Sequence, residues 1–114
     1  MSSIEALWLV KFGDWTAPNS ANNGGVIIFE SGSAFGGDSG FAYVGNYDLA
    51  NDKLIGEVTA TKFDPEMTDV WGIGYNEAKM KVELERDGDE RMVGRLTLEG
   101  QSLPVFLVRF KELP

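Results

Sequence analysis

Histidine and cysteine are both missing from this chain of 114 residues, and the two absences remove much familiar chemistry. Without imidazole, a serine or cysteine nucleophile loses its usual general base. Without thiolate or imidazole, the common zinc sites are lost and carboxylates are the only metal ligands left. Disulfides are excluded as well, which is compatible with a reducing compartment. Basic residues are scarce: ten Lys and Arg stand against eighteen Asp and Glu, for a net charge of -8. Direct contact with nucleic-acid phosphates needs clustered Lys and Arg, so it is not expected. A basic protein partner and simple solubility are both compatible with this charge. Long hydrophobic runs are lacking too, since Ala6 to Val10 is interrupted by Lys11 and no basic segment precedes it. Neither a signal peptide nor a membrane span is expected, and the chain reads as cytoplasmic.

Glycine is plentiful, and it concentrates in Gly36-Gly37-Asp38-Ser39-Gly40-Phe41-Ala42-Tyr43-Val44-Gly45. Within it, Gly37-Asp38-Ser39-Gly40 is similar to the nucleophile motif of chymotrypsin-like serine proteases. That chemistry fails here, because no histidine exists, no lysine stands near Ser39 in sequence, and the chain is short for the two barrels such proteases use. Gly36, Gly37 and Gly40 instead read as a bend into a strand, where φ must be positive or another segment must come close. Asp38 is expected to accept backbone N–H bonds in that bend. No catalytic residue is assigned.

Apolar residues recur with a period of two along nearly the whole chain, which predicts strands. Glu5 to Phe12 is the first, with Leu7 and Leu9 on one face and Trp8, Val10 and Phe12 on the other. A polar loop runs from Asp14 to Gly24, and Gly25 to Glu30 is followed by a two-residue Ser31-Gly32 turn and a short strand over Ser33 to Gly37. Phe41 to Asp48 alternates next, then a turn over Leu49 to Asp52, and Lys53 to Phe63 carries Leu54, Gly56, Val58 and Ala60 on one face. Asp64 to Asn76 is the one place for a short helical turn, with Asp64 as cap and Pro65 at the first helical position. Glu77 to Arg86 points Met80, Val82 and Leu84 inward, and Asp87-Gly88 signals a type I′ hairpin. Arg91 to Glu99 carries Met92, Gly94, Leu96 and Leu98 inward. After a turn at Gly100 to Ser102, Leu103 to Lys111 sets Leu103, Val105 and Leu107 against Phe106, Val108 and Phe110.

About eight short antiparallel strands at hairpin spacing predict an all-β fold: an eight-stranded lipocalin-like (calycin-like) barrel with one short helical turn region, forming a single domain over residues 1–114. First and last strands are apolar on both faces, so their adjacent outer faces form a candidate homodimer patch. Trp8, Tyr43, Tyr47, Leu54, Val58, Met80 and Leu96 are candidates to line an interior cavity. Trp15, Trp71 and Tyr75 are further aromatic candidates, with core or interface packing the competing fate. Asp87, Asp89 and Glu90 lack the ligand spacing of a calcium loop, and Gly72-Ile73-Gly74 lacks the third glycine and the strand-to-helix setting of a dinucleotide loop. No metal and no cofactor are expected.

Ala34 to Gly45, preceded by Gly25-Val26-Ile27-Ile28 and followed by a turn and a strand, resembles the signature segment of the GrlR-like family. These are small lipocalin-like barrels named for a negative regulator of type III secretion. The Gly-Gly-Asp and Tyr-x-Gly elements carry the resemblance, which extends in strand order over residues 5–111. It implies a cytoplasmic homodimer that binds and inhibits a helix-turn-helix transcriptional activator without touching DNA. It also implies partner binding at the loop after the Tyr-x-Gly strand, here Tyr47-Asp48-Leu49-Ala50-Asn51-Asp52-Lys53, with Asp48, Asn51 and Asp52 as the candidate residues. The family's run of alternating acids is reduced here to two acids and a lysine, and a solvated hairpin turn is the competing role. Two functions follow from the sequence: a non-enzymatic regulator acting on a protein partner, or a carrier of a small apolar ligand within the barrel.

Overall fold

The computed structural model describes residues 3–13, 22–66 and 76–114. Eight strands follow one another: β1 (Ala6–Phe12), β2 (Asn22–Glu30), β3 (Ser33–Gly37), β4 (Phe41–Ala50), β5 (Lys53–Lys62), β6 (Glu77–Arg86), β7 (Arg91–Leu98) and β8 (Gln101–Glu112). Each pairs antiparallel with the next, and β8 returns to pair with β1, so the sheet closes into a lipocalin-like barrel. Among the described residues, closure leaves no strand at a sheet edge.

Side-chain parity fills the interior. Along β6, exposed and buried positions alternate, with Ala78, Met80, Val82 and Leu84 inward and Lys79, Lys81, Glu83 and Glu85 outward. β1 turns Ala6, Trp8 and Val10 inward and leaves Leu7 and Leu9 half-buried outside. On β8, Phe106 is buried along with Val105 and Leu107, although it lies on the opposite face from those two.

Glycine permits the tight coil of the wall. A Cβ at Gly36, Gly45 or Gly94 would lie 2.0, 1.9 or 1.8 Å from the carbonyl oxygen of Val26, Glu57 or Glu83, so each strand presses its bare backbone onto its neighbour. Gly36 therefore serves close approach; its φ is not in the left-handed region.

Turn chemistry sets the hairpins. Ser31 and Gly32 have φ of 51° and 84°, and Glu99 and Gly100 have 48° and 83°, so both pairs close two-residue loops of the type I′ class. Two expectations need correction here. β4 runs on to Ala50 and β8 begins at Gln101, because Leu49 and Ala50 pair with Leu54 and Lys53, and Gln101 and Ser102 pair with Leu98 and Thr97. Asp87-Gly88 does not close a two-residue hairpin: Arg86 and Arg91 flank a four-residue loop in which only Gly88 has a positive φ, 78°. Arginines hold that wider loop open. Arg91 Nε donates to Asp87 Oδ2 at 2.9 Å, and Arg109 donates from its Nε to the Asp89 carbonyl at 2.9 Å and from its backbone N to the Glu90 carbonyl at 2.8 Å.

The helical turn expected over Asp64 to Asn76 falls largely on residues 67–75, outside the described residues. Among the described residues no helix is present; Pro65 and Glu66 form a turn in which Asp64 Oδ1 accepts the Glu66 N–H at 3.0 Å.

One end of the barrel carries the β2–β3, β4–β5 and β6–β7 loops and is closed by the residues before β1. Ile4 is buried, and its carbonyl accepts the Trp8 indole N–H at 2.9 Å. A register shift between Leu7 and Trp8 sets Trp8 opposite Arg109. The guanidinium sits 4.9 Å from the indole centroid and also donates to the Ser3 carbonyl and to Glu112, a cation–π stack within a hydrogen-bonded clasp.

Candidate functional site

Three features can be weighed as sites: the glycine bend, the barrel interior and the outer face.

At the bend, β3 gives way to β4 through Asp38, Ser39 and Gly40. Asp38 Oδ1 accepts the N–H groups of Gly40 and Phe41, each at 2.8 Å, while Oδ2 accepts the Tyr43 hydroxyl. The Gly24 carbonyl lies 3.4 Å from the same hydroxyl. Burial pushes the Tyr43 hydroxyl well above its ordinary pKa, and the bond to Asp38 and the charge of Asp38 push it further. Tyr43 is thus a neutral donor locked onto a carboxylate. Ser39 is exposed at the tip. The arrangement fixes a backbone turn and presents no activated nucleophile. Tyr43 as the partner of Asp38 escaped the sequence reading; the available signal was its inward parity on the strand that leaves the bend.

Inside the barrel lies a cavity of about 50 Å³ lined mostly by apolar side chains, with Tyr43, Tyr47 and Asn46 as the polar residues at its border. Of the expected lining residues, Tyr43, Tyr47, Leu54, Val58, Met80 and Leu96 border it. Trp8 does not; it is spent on the clasp at the closed end. Phe29 stands edge-on to Tyr47 at 5.2 Å and 71°. Sites for drug-sized ligands run to roughly 300–1,000 Å³, so this interior is mostly core.

The outer face has two characters. Across β1, β2, β3 and β4, Leu7 faces Ile28, Ile28 faces Phe35, and Phe35 faces Val44. A parallel row runs from Val108 on β8 through Leu9 to Val26. Phe35 is 39 %, Val44 66 % and Phe110 54 % exposed. The outer faces of β5 and β6 are charged instead, with Lys79 paired to Glu57 at 3.1 Å and Lys81 to Glu83 at 3.3 Å.

Asp48, Asn51 and Asp52 lie exposed around the β4–β5 hairpin, beside exposed Leu49 and Ile55. Asn51 supplies a positive φ of 58°, and the Asp52 carbonyl accepts the Arg86 N–H at 2.8 Å, so two of the three also serve the turn. Trp15, Trp71, Tyr75 and the Gly72-Ile73-Gly74 stretch lie outside the described residues. Among the described residues, no group of three or more carboxylates is arranged to hold a metal ion, and no helix is long and apolar enough to cross a membrane.

Set against known proteins, the chain matches no family model and no curated protein. The resemblance to the GrlR-like family rests on the residues quoted for it.

Proposed function

We propose that this chain is a non-enzymatic, cytoplasmic regulatory protein of the GrlR-like type, which acts by binding another protein through the outer face of β8, β1, β2, β3 and β4 and forms a homodimer on part of that face. One observation carries the reading: the cross-strand row Leu7, Ile28, Phe35 and Val44 on the outside of a closed barrel. Contiguous exposed apolar surface marks interaction sites. A closed barrel offers no edge strand for strand addition, which favours recognition by side chains on the wall. The small interior argues against a carrier of large ligands. A chain without histidine or cysteine, and with no activated nucleophile at Ser39, supports a role without catalysis. Its net charge of -8 suits a basic partner such as a helix-turn-helix activator, with Asp48, Asn51 and Asp52 at the edge of the contact, and disfavours direct binding of DNA.

Sedimentation equilibrium of the native chain and of a Phe35→Glu, Val44→Glu double variant tests this. The expected result is a native dimer and a folded monomeric variant with an unchanged far-ultraviolet spectrum. Pull-down from the native cytoplasm is then expected to recover a regulatory protein with the native chain and not with the variant. A native chain that is monomeric and captures no protein overturns the reading.

A further inference from the structure

We propose that Asp87-Gly88 is a self-modification site, at which the chain rearranges to an isoaspartyl linkage and Arg91 holds that reaction in check. The chemistry is intramolecular and needs no cofactor. The Gly88 backbone nitrogen attacks Asp87 Cγ, an N–C bond forms, and a carboxylate oxygen departs as water, taking the amide proton and one proton from solvent. A five-membered imide results. Water then opens either C–N bond of that ring and returns the proton, giving back aspartate or leaving a chain that runs through the side-chain carboxyl, with the former main-chain carboxyl pendant as an anion. Nothing is oxidised or reduced.

The attacking nitrogen is open. Gly88 has no side chain to shield it, and a Cβ there would meet nothing within 4 Å. Among the described residues no group accepts the Gly88 N–H, whereas the Asp87 N–H is held by the Arg91 carbonyl at 2.9 Å. The Asp87 side chain is 48 % exposed, which admits the water that opens the imide. Other aspartates are worse placed: Asp38 spends both oxygens on Gly40, Phe41 and Tyr43, Asp64 precedes Pro65, which has no N–H, and Asp48, Asp52 and Asp89 are each followed by a residue with a side chain. Arg91 is the restraint. Its Nε donates to Asp87 Oδ2 at 2.9 Å and its Nη2 donates to the same oxygen. Ring closure discharges the carboxylate, so both bonds lose their charged acceptor. Rearrangement also adds a main-chain carbon to the loop whose Asp89 and Glu90 carbonyls accept from Arg109, which stacks on Trp8. An isoaspartyl loop is therefore expected to loosen the clasp at the closed end.

The full chain is aged for weeks near neutral pH at physiological temperature and digested with trypsin, which releases Asp87 to Arg91 as a peptide of its own. Aspartyl and isoaspartyl forms share one mass and separate by reversed-phase chromatography, and a methyltransferase specific for isoaspartyl carboxylates labels only the second. The expected result is an isoaspartyl Asp87 peptide that grows with time in the native chain and stays at its starting level in Gly88→Ala, where a methyl group shields the nitrogen. Arg91→Gln, read on the peptide that then runs from Asp87 to Arg95, is expected to speed the growth about two- to fivefold, the worth of an exposed ion pair. Circular dichroism checks that this variant is folded. If it is not, Arg91→Lys, which keeps the charge and loses the planar fork, takes its place with a smaller acceleration. Asn23-Gly24 lies in another tryptic peptide and does not enter the reading. An Asp87 peptide that stays aspartyl in the aged native chain, equal growth in Gly88→Ala, or a rate indifferent to Arg91 overturns the proposal. The site belongs to the β6–β7 loop and not to the outer row of Leu7, Ile28, Phe35 and Val44, so its failure leaves the partner-binding reading to be tested by sedimentation on its own.

Discussion

Replacing Tyr43 with Phe removes one hydroxyl and keeps the ring, which isolates the bond to Asp38. Hydrogen bonds to charged groups contribute about 1.5–3 kcal/mol. Asp38 keeps the Gly40 and Phe41 N–H groups in the variant, so a loss of about 2 kcal/mol is expected at pH 7. The pH dependence is the sharper test. In the unfolded chain the hydroxyl ionises near pH 10, whereas burial first, and then the bond and charge of Asp38, raise it in the fold. Above pH 10 the folded state therefore holds a proton that the unfolded state has released, so stability falls as pH rises. The contribution is intact below pH 10, and the loss reaches about 0.4 kcal/mol at pH 10 and about 1.4 kcal/mol at pH 11. The gap between native and Tyr43→Phe chains is thus expected to shrink from about 2 kcal/mol at pH 7 to about 0.6 kcal/mol at pH 11. Tyr47, also raised mainly by burial, is present in both chains and cancels in the difference. Urea unfolding followed by tryptophan fluorescence, with equal m-values as the control, measures it. An equal gap at pH 7 and pH 11, or no gap at pH 7, refutes the reasoning.

Gly36→Ala drives a Cβ to within 2.0 Å of the Val26 carbonyl oxygen, so a loss of at least about 3 kcal/mol is expected in urea unfolding. Gly88→Ala meets nothing within 4 Å and is expected to lose only the roughly 1–2 kcal/mol of a left-handed backbone. Glu99→Asn relieves the φ of 48° in a type I′ turn and should gain about 0.5–1 kcal/mol, visible as a higher Tm in calorimetry. Ser39→Ala should leave both Tm and dimer mass unchanged, within about 0.5 kcal/mol, as for any exposed side chain without a partner in the core.

Parity makes the barrel readable from the sequence. In Glu77 to Arg86, every second residue is apolar, and a period of two leaves one inward set; that also made Met80, Leu54 and Leu96 legible as cavity neighbours. Turn boundaries were less legible because composition does not fix register. Leu49 and Ala50 read as turn formers beside Asn51-Asp52, but pairing to Leu54 and Lys53 holds them in the strand. At Asp87-Gly88 the local signal was overruled by side chains from elsewhere, chiefly Arg109, which lies far along the chain. The outer apolar row was half legible: both faces of the first and last strands were visibly apolar, but alignment of Phe35 and Val44 with Ile28 depends on cross-strand register. Gly36 was legible as a place of positive φ or close approach, and the sheet decides for close approach; Gly45 and Gly94 hid the same role, since each is small on account of a neighbour that only the closed sheet brings near.

Pairing of β1 with β8 also bears on how the barrel is made. This seam joins residues about a hundred positions apart, such as Trp8 and Arg109, while every other pair of neighbours is consecutive in sequence. Hairpins can form as the chain grows, but the seam must wait for β8, and until then β1 shows a bare edge next to its apolar outer face. Closure is thus expected to be the slow, entropy-limited step of folding, and the step most exposed to misassociation. Moving the chain break into the β6–β7 loop, with a short linker joining β8 to β1, would make the present seam a local hairpin and pass the long-range closure to β6 and β7. The edge left waiting would then lie beside the charged outer face of β6, and misassociation of the unclosed chain is expected to fall while the rate of closure changes little.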